Sequence, residues 1–358
     1  MNEDCLTLTT YFGERDRTPD GLLADELLEI YGGHRLAASV LLRGTEGFGR
    51  LHHLRTDRLL SLSEDLPVVS IAVDRRERIE ALLEPLLQIK RRGLVTLERT
   101  RLLTGELEPV RLPEQLQEAT KLTMYVGRRE RVNGTPAFAA VCELLHRHGI
   151  AGATVLLGVD GTRGGRRFRA GFFSRNTDVP TVIVAVGSGE RIAAAIPELG
   201  RLLSEPLLTL ERVRVCKRDG QLLATPHELP ANDARGLDLW QKLTVYSSQS
   251  ATHGGHPLHL QLIRRLRESD AAGATSLRGI WGFHGDHAPH GDRLLRIRRH
   301  VPVVTSVIDT PGRIARAFQI VDEITAEHGL VTSEMIPALS AMSAAETRGG
   351  LRLARFEF

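Results

Sequence analysis

Apolar and polar residues alternate in three short segments that end alike: LTLTTYFG at Leu6 to Gly13, LTMYVG at Leu122 to Gly127, and LTVY at Leu243 to Tyr246. Such period-two alternation predicts strands with one face buried. A second strand-like run follows each (ASVLLR, ATVLL, ATSLR) and closes on a glycine 33 residues after the tyrosine: Gly44 after Tyr11, Gly158 after Tyr125, Gly279 after Tyr246. Pro67, Pro180 and Pro302 open third runs in DLPVV, DVPTVIV and HVPVV, 23, 22 and 23 residues beyond those glycines. Fourth strands are predicted at GLVTLE from Gly93, PLLTLE from Pro206 and GLVTSE from Gly329. Self-similarity at fixed spacing predicts one structural unit written three times.

Helices fill the intervals. Ile79, Leu82, Leu83, Leu86 and Leu87 form a one-sided helical stripe between strands three and four, and Phe138, Val141, Cys142 and Leu145 form another between strands one and two. Asp74 with Glu77 predicts a capping box, Ser188 a cap in the second unit, and Pro311 after Thr310 a first helical turn in the third. Each unit therefore reads β-α-β-β-α-β, and the expected fold class is α+β: three tandem ferredoxin-like domains, each with both helices on one face of an antiparallel sheet. The units are expected at 1–104, 119–217 and 237–338, with a tail at 339–358 whose LRLARFEF could add a strand. Gly105 to Glu118 and Arg218 to Gly236 are linkers or added edge strands. VPTVIVAV from Val179 is almost continuously apolar, as a strand buried on both faces should be. Two helices cover only one face, so the sister sheets are expected to cover the other around a pseudo-threefold axis. That makes an intramolecular pseudo-trimer in a monomeric chain, with a cleft between neighbouring units.

Composition narrows the function. A chain of 358 residues with 42% apolar and 25% charged residues suits two or three globular domains, and a net charge of +3 argues against nucleic acid as the main partner. Positive charge is almost all arginine, the lysines being Lys90, Lys121, Lys217 and Lys242. Cys5, Cys142 and Cys216 are isolated, which fits a reducing cytoplasm and neither disulfides nor a thiolate zinc site. The acidic MNEDC start has no apolar h-region behind it, and no apolar run is long enough to span a membrane, so a soluble cytoplasmic protein is expected.

LLRGTEGFG from Leu41 with TDRLLSLSEDLPVV from Thr56, and SLRGIWGFHG from Ser276 with GDRLLRIRRHVPVV from Gly291, resemble the signature of the PII-like domain-of-unknown-function family 190. The middle unit keeps AGATVLLG and DVPTVIV, but VDGTRGGRRFRAGFFSRNT departs from the pattern. The resemblance implies the fold of PII signalling proteins, a ferredoxin-like domain assembled as a trimer. It also implies a long loop between strands two and three that contacts partners, above clefts that bind small effectors, often adenine nucleotides. Genes of the family often adjoin those of small fluoride-exporting channels, which makes a membrane channel one candidate partner beside other proteins. The glycine-rich nucleotide-cradling segment of true PII proteins is absent, leaving the nucleotide open.

The loop after strand two carries the candidate binding residues. They are Arg43, Gly44, Gly47, Gly49 and Arg58 in the first unit, with Arg50 and Arg55 nearby, and Arg278, Gly279, Gly282 and Arg293 in the third. Glycines let backbone N–H groups turn toward an anion, and guanidinium groups fork onto phosphate or carboxylate; the plainer reading is turn glycines and solvated arginines. Leu157 and Gly171 replace the arginines in the middle unit, so any sites are unequal. An alternative is a metal-binding or metal-tolerance protein of CutA-like type using His284, His287 and His290, with His253, His256 and His259 spaced alike. Against it, FHGDHAPHG is rich in glycine and proline, the corresponding loop of the first unit has only His52 and His53 and that of the second none, and Arg55 and Phe168 stand where His290 does. No nucleophile elbow, zincin or Walker segment occurs, and Glu64-Asp65 is present in one copy only, so no catalysis and no cofactor are expected. The repeated tyrosines read as packing. The sequence thus points to a regulatory protein that binds a small anionic effector between units and presents loops to a partner protein.

Overall fold

The computed structural model describes residues 2–49, 54–56, 65–90, 92–116, 118–169, 179–284, 289–291, 301–343 and 346–356. The fold is mixed α/β and mostly sheet. The first unit has strands Asn2–Gly13, Ala38–Phe48, Pro67–Arg75 and Gly93–Thr104; the second, Thr120–Gly127, Gly152–Leu157, Pro180–Gly187 and Leu207–Arg212; the third, Trp240–Ser248, Ala274–Arg278, Pro302–Asp309 and Leu330–Ile336. In every unit the antiparallel order is four, one, three, two. Helices Leu23–Gly33, Ala137–Arg147 and Leu258–Glu268 join strands one and two, and Gly189–Leu202 and Pro311–Ile324 join strands three and four in the second and third units. No described helix is long and apolar enough to cross a membrane.

The helix stripe of the first unit buries Ile79, Leu82 and Leu86 completely, but the helix breaks at Leu82 into Arg76–Ala81 and Leu83–Ile89, leaving Leu87 exposed. The capping box does not form. Arg75 is the N-cap, and the Asp74 carboxylate instead accepts from the N–H groups of Arg75 (2.6 Å) and Ala37 (2.9 Å). It thereby pins the entry of strand two to the end of strand three. Asp309 does the same with Thr310 and Ala272. Ser188 and Thr310 sit at N-caps without a side-chain capping bond, while Pro311 opens its helix as expected.

The sheets join through their edges in two closed cycles. Residues 44–48 of the first unit's second strand leave their own sheet and pair with strand two of the third unit. Asp160–Arg163 of the second unit likewise pairs with strand two of the first, and Trp281–His284 of the third with strand two of the second. In the opposite sense, residues 101–104 pair with strand four of the second unit, Arg214–Arg218 with strand four of the third, and Ala338–Met342 with strand four of the first. Each edge strand, otherwise a row of unpaired backbone groups, is covered in this way. On the face away from the helices, Val40, Leu42, Val69, Tyr125, Leu156, Val182 and Val304 share one buried cluster drawn from all three units.

One expectation near the chain's end changes. The closing strand is Ala338–Met342, hairpinned with Thr347–Gly350, and LRLARFEF forms no strand over its described residues. Its backbone is fixed by other means: the Ala354 N–H donates to Pro337 O at 2.7 Å, and Arg99 donates to Ala354 O at 2.8 Å.

All four lysines are buried, at 1%, 8%, 4% and 8% exposure for Lys90, Lys121, Lys217 and Lys242. Lys90 donates to the carbonyls of Tyr11 (3.1 Å) and Arg92 (2.8 Å) and lies 5.3 Å from the centre of the Phe12 ring. Burial pushes its pKa down to about 7, with Asp16 opposing weakly. The unfolded chain then binds more protons than the folded one between the folded value and the ordinary 10.5, so stability should rise with pH across that window. Two carbonyls and a ring face favour the ammonium, so we expect a rise on the order of 2–4 kcal/mol rather than the full shift. Denaturant unfolding at pH 7 and pH 10 checks this, and Lys90→Met should flatten the dependence.

Candidate functional site

The glycines after strand two stand where one unit's strand crosses onto its neighbour. A Cβ at Gly44 would lie 2.7 Å from the Pro67 ring and 3.1 Å from Ser276 O; one at Gly279 would lie 2.7 Å from the Pro302 ring and 2.9 Å from Val155 O. Gly47 and Gly282 repeat the contact with Ala274 O and Ala153 O, and Gly158 and Gly161 make it against Pro180 with Val40 and Ser39. Glycine is required because two backbones and the strand-three proline ring meet there. The expected cradle is corrected at Gly279, whose N–H donates to Pro302 O at 2.7 Å rather than toward open space. Gly49 has open space around it.

The arginines fare differently. Arg43, half exposed, pairs with Glu14 at 2.9 Å, and Arg55 pairs with Asp65 at 2.9 Å, whose other oxygen accepts from the Arg15 N–H. Arg278 is half-buried at the end of its strand. Arg50, Arg58 and Arg293 lie outside the described residues. The divergent middle loop forms a hairpin, Asp160–Arg163 with Arg166–Arg169, laid over the first unit. Arg167 holds both Asp160 (2.7 Å) and Asp25 of the first unit's helix (2.5 Å), bonds that raise its pKa further above the usual arginine value. An anion reaching this guanidinium must displace two carboxylates, so the three loops are chemically unequal.

The histidines are only partly accounted for. His284 lines a small cavity of about 30 Å³ between the second and third units, with Thr154, Val184, Tyr246 and Phe283. His287 and the His290 side chain lie outside the described residues. His253 and His256 face each other across a short hairpin, and His259 is buried. Among the described residues no three His, Cys, Asp or Glu gather to hold a metal, and the three cysteines are buried and free.

A cavity of about 110 Å³ lies where the three sheets face one another. Equivalent positions of each unit line it: Tyr11, Tyr125 and Tyr246; Thr9, Thr123 and Thr244; Glu98, Glu211 and Glu334; and Thr7, Lys121 and Lys242. The glutamates lie on strand four, directly across from the Thr7, Lys121 and Lys242 positions of strand one. Lys121 binds its own unit's Glu211 at 2.5 Å and Glu334 of the next unit; Lys242 binds its own Glu334 at 3.3 Å and Glu98 of the next at 2.6 Å. Burial works against both ammoniums, but the carboxylates outweigh it and hold the lysines well above their usual range. Glu334, with two ammoniums, is held low against its burial, whereas burial raises Glu211, whose one ammonium is shared. Burial also lifts all three tyrosines, Tyr11 to about 12, so none ionises near neutrality. The sequence reading passed over these five charged residues. Their signal was present: T-x-E recurs in every fourth strand, and two of only four lysines sit at one position of the repeat.

Comparison with known proteins agrees with the threefold organisation. A UPF0166 protein of Aquifex aeolicus (strain VF5) is 30% identical over 98 residues, which is 27% of this chain and 90% of that protein. Two solved structures are also similar at 12% identity. One is an anthrone oxidase-like protein (63% of this chain, 97% of that one, TM-score 0.16) and the other a flavoenzyme of caerulomycin biosynthesis (83% and 57%, TM-score 0.17); at those scores neither bears on fold or function. A single family pattern fits residues 5–102, 119–215 and 240–338 in turn, one match for each four-stranded unit, and the chain therefore belongs to the PII-like family DUF190 (uncharacterized ACR), carrying three copies of its domain.

Proposed function

We propose that this chain is a PII-like regulatory protein: three ferredoxin-like units closed into an internal trimer, binding a small anionic effector between units and relaying its presence through the strand-two loops. The observation that carries the reading is the pair of closed cycles of edge pairing. They run each loop from its own sheet onto the neighbour, so a ligand at a crossing touches two units at once. Because backbone N–H groups at the crossings are engaged in pairing, the anion would be read by guanidinium groups, Arg43 beside Glu14 and Arg55 beside Asp65. An effector carboxylate or phosphate exchanging with those side-chain carboxylates would free the loop to change its contacts. The shift in loop state is limited to the effector's differential affinity for the two states. A partner protein, a membrane channel included, would sense that shift.

The test is calorimetric titration of the full chain with adenine nucleotides and other small anions. Arg43→Ala should weaken binding by about 1.5–3 kcal/mol, roughly 10–150-fold, the worth of a hydrogen bond to a charged group. Light scattering should give the single-chain mass of 39.5 kDa. A trimer of chains would contradict the internal trimer, and an Arg43→Ala variant that binds as tightly as wild type would remove the anion site. Divalent metals form a separate arm: binding that is lost in His284→Ala and unaffected in Arg43→Ala would favour the metal reading.

A further inference from the structure

The cycle of ammonium and carboxylate in the central cavity has one member missing. Lys121 bridges the glutamates of the second and third units, and Lys242 bridges those of the third and first. The same step from the first unit would place an ammonium between Glu98 and Glu211, but the residue there is Thr7, opposite Glu98 in the sheet, with its hydroxyl donating to Glu211 Oε1 at 2.9 Å. Threonine stops well short of where an ammonium would stand. Three carboxylates and two ammoniums, each under a tenth exposed, leave one negative charge without a partner in a cavity of about 110 Å³. Glu334, 5% exposed and lining the same cavity, has an oxygen, Oε1, with no hydrogen-bond partner. A buried charge of this kind has to be balanced from solution.

We infer that the gap left by Thr7 is a binding site for one small monovalent cation, of the size of ammonium or potassium, which completes the ring of positive charge. The Thr7 hydroxyl and the carboxylates of Glu98 and Glu211 are the oxygen donors nearest the gap, the kind of ligand that suits a hard cation. Lys121 and Lys242 repel a divalent ion from the same space, and the three tyrosines stay neutral there. The site is independent of the effector clefts, since it faces the sheets and not the loops. The rival source of charge is a proton on Glu211, whose carboxyl burial already raises.

The experiment is thermal unfolding of the full chain at pH 8 in ammonium, potassium or tetramethylammonium chloride at matched ionic strength, for wild type, Thr7→Lys and Glu211→Gln. Wild type should melt several degrees higher in ammonium or potassium than in tetramethylammonium, which is too large to enter, with a saturable dependence on concentration. Both variants should lose that difference, Thr7→Lys because its own ammonium fills the gap and Glu211→Gln because the excess charge is gone; the near-isosteric glutamine keeps the test valid should the lysine disturb folding. A second readout is a slowly exchanging proton signal from bound 15N-ammonium, present in wild type and absent in Glu211→Gln. Equal melting of wild type in all three salts, with no bound ammonium signal, would overturn the inference and assign the missing charge to a proton.

Discussion

Replacing Lys121 by methionine is expected to destabilise the chain by about 3–5 kcal/mol, the cost of leaving buried carboxylates without their partner. Lys121 is the single ammonium of Glu211 and one of two on Glu334, and all three side chains are at most a tenth exposed. Denaturant unfolding should show a lower midpoint at unchanged slope. Lys217→Met supplies the contrast. That lysine is buried and donates to Asp322 Oδ1 (2.5 Å) and the Asp322 carbonyl (2.6 Å), but the Asp322 side chain is 41% exposed and water replaces the lost partner there. Its cost should be nearer 1 kcal/mol, as for partly exposed pairs. The sign of the alkaline limb follows from the same cluster. Lys121 is held above the ordinary lysine value of 10.5, so its contribution is complete below that pH and disappears only as pH rises beyond it toward the folded value. Lys121→Met should therefore lie furthest below wild type near neutrality and converge on it in strong alkali. A loss under 1 kcal/mol at pH 7 would show that the cluster relaxes around the missing charge.

Phe48→Ala should cost about 3–5 kcal/mol, as should Phe283→Ala, through loss of buried aromatic area and the cavity left behind. Phe48 belongs to the first unit yet is 5% exposed within the core of the third, beside Leu258, Leu262 and Leu266. Phe283 of the third unit sits likewise in the core of the second, with Val141, Leu145 and Ile183, and its ring meets His146 edge-on at 5.1 Å. At the equivalent place the middle unit has Thr162, whose hydroxyl bonds Ser39 of the first unit at 2.8 Å. Thr162→Ala removes one such bond and should cost only about 1 kcal/mol. Calorimetry distinguishes local from shared damage. Because each phenylalanine stabilises a core other than its own unit's, the variants should still melt in one transition at lower temperature. A loss within about 0.5 kcal/mol, the size of a surface effect, would mean that these rings do not bind the units together.

Much of the architecture was legible because its signals are local. Alternation gave the strands, the three-and-four spacing of Ile79, Leu82 and Leu86 gave a helix face, and equal intervals from tyrosine to glycine to proline gave the repeat. Where the reading failed, two local explanations competed. Asp74 and Glu77 fit a capping box, but the Asp74 carboxylate had a better use at the Ala37 N–H, 37 residues away. The glycines of the strand-two loop fit an anion cradle, yet Gly44, Gly47, Gly279 and Gly282 are where a neighbour's backbone passes against a proline ring. Nothing in the intervals says which strand will be met across a sheet edge.

The lysines mark the boundary most clearly. In a chain whose surface cations are arginines, four lysines are exceptional, and the structure buries every one. The sequence by itself determined the unit, its count of three, and the period at which Thr7, Lys121 and Lys242 recur, since these depend on backbone propensity and burial along one strand. Only the tertiary structure decided that Lys121 bridges two units, that Phe48 fills another unit's core, and that one ammonium is missing from a closed cycle. Charge balance and close packing are properties of residues brought together from hundreds of positions apart, and they exist only once the sheets have met.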